Sequence, residues 1–146
     1  LTAAGGHPGN DRQHAAVRRW TAPRAMAVTI QAELVHEPDV GDGVRAWVVS
    51  SQRGLLRGET LHHTKASWTE QAVAVAAGET IDFVVDLGDV LNSDQYLWQV
   101  TLVDTAEAGT LWNSGTDFTS SAVQSLNAWE QLAQVLLSTN EFLFVD

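Results

Sequence analysis

Apolar and polar residues alternate along most of the chain with the two-residue period of a β-strand, in short segments separated by turn clusters. The clearest segment sets Met26, Val28, Ile30, Ala32 and Leu34 against Thr29, Gln31 and Glu33, which predicts one buried and one wetted face. It stops at the turn cluster Glu37-Pro38-Asp39-Val40-Gly41-Asp42-Gly43. The next, Val44 to Ser50, puts Val44, Ala46 and Val48 on one face and Arg45, Trp47 and Val49 on the other. Ala16 to Thr21 precedes the pair and is closed by Pro23. Further on, Ile81, Phe83 and Val85 alternate with Asp82, Val84 and Asp86, and Tyr96, Trp98, Val100 and Leu102 share one side of a last strand. Leu55 to His63 and Gln71 to Val75 read as weaker strands around a polar loop that carries Trp68. Short strands spaced by turns, with no helical pattern between them, predict an all-β fold: an antiparallel, jelly-roll-like β-sandwich.

The period changes near the C-terminus. Leu126, Trp129, Leu132, Val135 and Leu136 recur at three- and four-residue steps, which predicts an amphipathic helix over Ala128 to Ser138, with Asn127 and Glu130 spaced as a capping box. Glu141 to Asp146 is again apolar and β-like. The chain therefore divides into an N-terminal arm (residues 1–15), a sandwich (16–119) and a helical tail (120–146) packed on the sandwich or on a neighbouring domain. No internal repeat or low-complexity tract interrupts it.

Composition narrows the function classes. At 146 residues, 45% of them apolar, the chain can bury the core of one domain. No apolar run approaches the length of a membrane span. The net charge of −10 repels phosphate backbones and anionic lipid, which speaks against nucleic-acid and membrane-surface partners. That charge is uneven: up to Ala25 four arginines face Asp11 alone. The absence of cysteine excludes disulfides, zinc-thiolate sites and a cysteine nucleophile. A start at Leu1, without an initiator Met or a leader, reads as a piece of a longer polypeptide.

Several segments together carry a resemblance. Ala16-Val17-Arg18-Arg19-Trp20-Thr21-Ala22-Pro23 is followed by Gly41-Asp42-Gly43-Val44-Arg45, by Gly78-Glu79-Thr80-Ile81-Asp82-Phe83-Val84-Val85-Asp86, and by Asn92-Ser93-Asp94-Gln95-Tyr96-Leu97-Trp98. In this order they resemble the carbohydrate-binding-like β-sandwich domains of large bacterial secreted proteins. The nearest version stands at the C-terminal end of planctomycete-type multidomain proteins that also carry a cytochrome-c-like domain. The opening Gly6-His7-Pro8-Gly9-Asn10-Asp11 and the ending from Trp129 to Asp146 are similar to theirs as well. The resemblance implies a β-sandwich, an extracytoplasmic setting (periplasmic, cell-surface or secreted) and a glycan-binding role. It supplies no catalytic residue. Where that family often has glycine, this chain has Asp89-Val90-Leu91.

Glycan surfaces use flat aromatic rings, on which the C–H faces of a sugar stack, together with polar groups that read hydroxyls. Of the six tryptophans, Trp20, Trp98 and Trp129 read as packing. Trp47, opposite the apolar face of its strand, Trp68, in its polar loop, and Trp112 are the candidate stacking rings, with Arg45 as polar partner. The C-terminal helix or the N-terminal arm covering Trp47 is the alternative. Asp86, Asp89, Asn92 and Asp94 are closely spaced hard-oxygen donors of the kind calcium takes, and a structural calcium ion is the cofactor they would hold. Their spacing matches no dedicated calcium loop, and a solvated acidic loop is the other reading. The histidines show no HExxH pattern and are assigned to solvent or turns. There is no GxSxG elbow, no phosphate-binding glycine loop and no singled-out acid pair, so the chain reads as non-catalytic. Three functions remain: a carbohydrate (polysaccharide)-binding module of a larger secreted protein, a structural domain docking onto the rest of its own polypeptide, or, less favoured, a wall of an active site held elsewhere in the parent protein.

Overall fold

The computed structural model of the chain describes residues 1–107 and 109–121. These form an all-β sandwich of two antiparallel five-stranded sheets. The elements are β1 (Gly5–Gly6), β2 (Ala16–Thr21), β3 (Met26–His36), β4 (Val44–Ser50), β5 (Gly54–Leu61), β6 (Thr64–Val75), β7 (Thr80–Leu87), β8 (Tyr96–Asp104), β9 (Leu111–Asn113) and β10 (Thr119–Ser121), with a 3-10 turn at Arg12–His14. The first sheet runs β6-β3-β8, and β1 and β9 share the far edge of β8; the second runs β10-β2-β7-β4-β5. The predicted tail helix, with Leu126, Trp129 and Leu132, lies outside the described residues.

The alternation decides which faces meet. Val28, Ile30 and Leu34 from β3, Trp98, Val100 and Leu102 from β8, Val44, Ala46 and Val48 from β4, and Ile81, Phe83 and Val85 from β7 are all buried between the sheets. Trp20 and Trp98 belong to this core, as their strand phases predict. Residues 5–6 of the N-terminal arm add a strand to β8, pairing Gly5 with Leu97 and Gly6 with Tyr96. At Gly5 the approach is so close that a Cβ would fall 2.0 Å from the Tyr96 carbonyl oxygen, so glycine is required there.

One predicted loop is a strand. Thr64–Val75 is continuous, and it pairs with nearly the whole of β3. Its inward phase holds Ala66, Trp68 and Glu70, with a single large apolar side chain among them, so the alternation looks polar in sequence. A bulge then breaks the phase: Val28 pairs with Val73 but Ile30 with Glu70, and Ala72 takes the left-handed φ of 54°. The extra residue returns Val73 and Val75 to the core.

Candidate functional site

The proposed stacking residues are not brought together. Trp68 is 9% exposed, and its ring lies against Trp98 with centroids 6.0 Å apart. It is a core residue, and the loop reading is corrected on that ground. Trp112, on β9, packs edge-on to Trp20 at 5.2 Å and closes the same core from the side. Each of the two rings is engaged by a second tryptophan.

Trp47 and Arg45 do lie together, on the outer face of the second sheet. The Arg45 guanidinium stands 5.7 Å from the Trp47 ring centroid and is fixed by two-toothed hydrogen bonding to Asp86, at 3.0 and 3.2 Å from one nitrogen. Asp86 is therefore an ion-pair partner on a strand rather than part of a metal loop. Across β5 the indole faces Gly58, where even a Cβ would meet Trp47 Cδ1 at 3.4 Å. Strand register sets Val17, Val84 and Trp47 in one row, with Val49 and Leu55 in the next; Leu55 is 63% exposed.

The outer face of the first sheet is different in kind. Register places Thr69, Gln31, Thr101 and Asn113 in one row across four strands, and Ser67, Glu33 and Gln99 in the adjacent row. These side chains line a concave groove of about 440 Å³, floored by Ala32 and Trp68. Four strands at the usual spacing make it roughly 14 Å long across the sheet. Within the described residues the side chains of Gln31, Gln99, Thr69 and Thr101 make no hydrogen bond, which leaves two complete amides and two hydroxyls directed outward. Glu33 accepts from Ser67 Oγ at 3.2 Å and lies 3.8 Å from Lys65 Nζ, so the one acid in the groove is partly offset. A surface of amide and hydroxyl groups with little net charge suits a neutral ligand rich in hydroxyls.

Sequence reading missed this groove. Each strand does show a polar outward phase, but the rows exist only because β6, β3, β8 and β9 are neighbours. The pairings of β3 with β6 and with β8 are long-range and no local pattern encodes them.

Asp89 and Asn92 are exposed in the loop between β7 and β8, whereas Asp94 is completely buried. His36 is buried as well, in the turn role of the two expected; His63 N–H donates to its Nδ1 at 3.1 Å, so Nε2 carries the proton given to the Ser93 carbonyl at 2.9 Å. It fastens the β5–β6 turn to the β7–β8 loop. Among the described residues no helix is long and apolar enough to cross a membrane. No known protein family, curated protein or solved structure matches the chain.

Proposed function

We propose that this sandwich is a non-catalytic carbohydrate-binding module, and that it takes a neutral oligosaccharide segment across the groove of the first sheet. The observation that carries the reading is the pair of rows Thr69–Gln31–Thr101–Asn113 and Ser67–Glu33–Gln99, whose amides and hydroxyls are largely unpaired within the protein. The Gln31 and Gln99 amides each supply both donors and an acceptor, the complement that sugar hydroxyls require, while Asn113 Oδ1 already accepts from the Gly115 amide at 2.8 Å. Because water competes for the same groups, affinity per site is modest, and attachment to an extended polysaccharide strengthens it through repeated contacts. The setting that accompanies this reading is extracytoplasmic, as one part of a larger secreted bacterial polypeptide; the support for that is the resemblance of the four segments named above.

Affinity electrophoresis on polysaccharide gels tests it. The chain is expected to be retarded by at least one neutral polysaccharide, and Gln31→Ala and Gln99→Ala are expected to reduce the retardation. Loss of retardation in Trp47→Ala instead would move the site to the opposite sheet, onto the Arg45–Trp47 pair. Free migration in every gel would refute the function.

The apolar row on the second sheet favours one further reading. Val17, Val84 and Trp47, flanked by a row in which the Arg19–Asp82 ion pair stands beside Val49 and the exposed Leu55, form a mixed face suited to another protein surface. On this reading the sheet docks onto the rest of the same polypeptide, a role compatible with glycan binding on the other side.

A further inference from the structure

Three buried carboxylate oxygens at one end of the sandwich have no hydrogen-bond partner: Oδ1 of Asp42 and both oxygens of Asp94. Asp42 belongs to the β3–β4 loop and Asp94 to the β7–β8 loop. The two loops are joined by main-chain contacts. Gly88 N–H donates to the Gly43 carbonyl at 3.1 Å, and Asp42 Oδ2 accepts from the Asp89 and Val90 amides. The backbones touch where Gly41 meets the Asn92 carbonyl: a Cβ there would lie 2.0 Å from the oxygen.

Asp94 has 0% exposure, so water in bulk does not solvate it. The Asn92 main-chain amide, His7 and His36 all act favourably on its charge, but none makes a full hydrogen bond to it, and each has another partner. The Asn92 amide is hydrogen-bonded to Val90 O at 3.1 Å, His36 Nε2 is given to Ser93 O, and His7 Nδ1 lies 2.6 Å from Pro8 O. No basic side chain of the described residues lies within ion-pair distance of Asp94 or Asp42, and Arg45, the arginine whose field reaches Asp42, is engaged by Asp86. A fully buried carboxylate with neither oxygen satisfied costs several kcal/mol unless a proton or a metal cation neutralises it, and burial pushes the Asp94 carboxyl above the usual aspartate range.

We infer that the junction of the β3–β4 and β7–β8 loops is a calcium-binding site in which Asp94 and Asp42 supply the carboxylate ligands. The donors are hard oxygens on loops, which favours calcium over transition metals; calcium also tolerates irregular geometry better than magnesium does. No three carboxylate or imidazole side chains converge among the described residues, so main-chain carbonyls and water complete the shell, a complement calcium accepts. The ion fixes the loops relative to each other. It shares Asp94 with the four residues expected from sequence but replaces Asp86, which is held by Arg45, with Asp42.

The test is thermal unfolding of the full chain in EDTA, in millimolar calcium chloride and in magnesium chloride at the same concentration. A saturable rise in Tm of several degrees with calcium, and little with magnesium, is the expected result. Asp94→Asn should abolish the calcium response while unfolding in EDTA no earlier than the parent, since the change removes an unpaired buried charge. Asp42→Asn provides the second variant and should weaken the response at least tenfold in calcium concentration. No calcium response in the parent, an equal response to magnesium, or a response that persists in both variants overturns the inference.

Discussion

Arg18 and Arg57 belong to one row of the second sheet, with Phe83 and Val48 between them. Each closes one flank of the sandwich. Arg18, 6% exposed, donates to the carbonyls of Trp98 at 2.8 Å, Gly5 at 3.0 Å and Thr2, so it joins the N-terminal arm and β8 to β2 with no carboxylate partner among the described residues. Arg57 reaches across to the first sheet, pairing with Glu70 at 3.0 Å while its guanidinium lies 5.0 Å from the Trp68 ring centroid. Planar, many-donor arginine suits both tasks better than lysine.

Removing Arg18 leaves three carbonyls short of a donor and frees the arm. Arg18→Ala is expected to destabilise the fold by about 2–4 kcal/mol in chemical denaturation, the range for a lost buried network of charge-assisted hydrogen bonds. Hydrogen exchange at Gly5 and Gly6 should accelerate more than exchange in β4. Unchanged exchange in the arm would show that Arg18 does not hold it.

Arg57 is half-exposed, and its loss is milder. Arg57→Ala should cost about 1–2 kcal/mol, the sum of a cation–π contact and two partly screened ion pairs, to Glu70 and to Glu59 at 2.6 Å. Arg57→Lys should recover less than half of that. Full rescue by lysine would mean that charge alone matters and that the contact with Trp68 does not.

The tryptophans divide by role. Trp68→Ala opens a void in the core and is expected to cost about 3–5 kcal/mol, whereas Trp47→Ala, on the outer face, should cost about 1 kcal/mol or less. Urea denaturation of the two variants decides it. A large loss at Trp47 would place that ring in a packed interior.

Glu79 gives a pH signature. Burial works against its charge, but Ser50 Oγ–H at 2.6 Å and the Ala76 amide at 2.8 Å hold its carboxyl below the usual glutamate value of 4.5. A lowered folded-state pKa means that its stabilisation is present above that usual value and is lost as the pH falls through the lower folded-state value. Glu79→Gln should therefore destabilise the chain at pH 7 by about 1–2 kcal/mol, with the difference shrinking toward pH 3. A gap independent of pH would contradict this.

The strand faces were legible in the sequence wherever the inward phase held several apolar side chains, as in β3, β4, β7 and β8. That phase placed Trp20 and Trp98 in the core and Trp47 outside it. It failed at Trp68 because the inward neighbours on β6 are the half-buried Ala66 and Glu70 and because the bulge at Ala72 shifts the pattern by one residue. The pairing of Asp86 with Arg45 and the approach of Asp42 to the β7–β8 loop join positions more than forty residues apart, which local spacing does not report. The groove depends on strand order and was equally hidden. The Asn127–Ser138 region, by contrast, shows its helical period in sequence but lies outside the described residues.

The central claim is that a neutral glycan sits across the groove of the first sheet. Titration of the isotope-labelled chain with soluble oligosaccharides, followed by amide and side-chain NMR shifts, tests it most directly. The predicted result is saturable movement of the Gln31 and Gln99 side-chain amides and of the Thr69 and Thr101 backbone, with Trp47 Nε1–H unmoved. Shifts confined to Trp47 and Val84, or no shift with any neutral glycan, would contradict it.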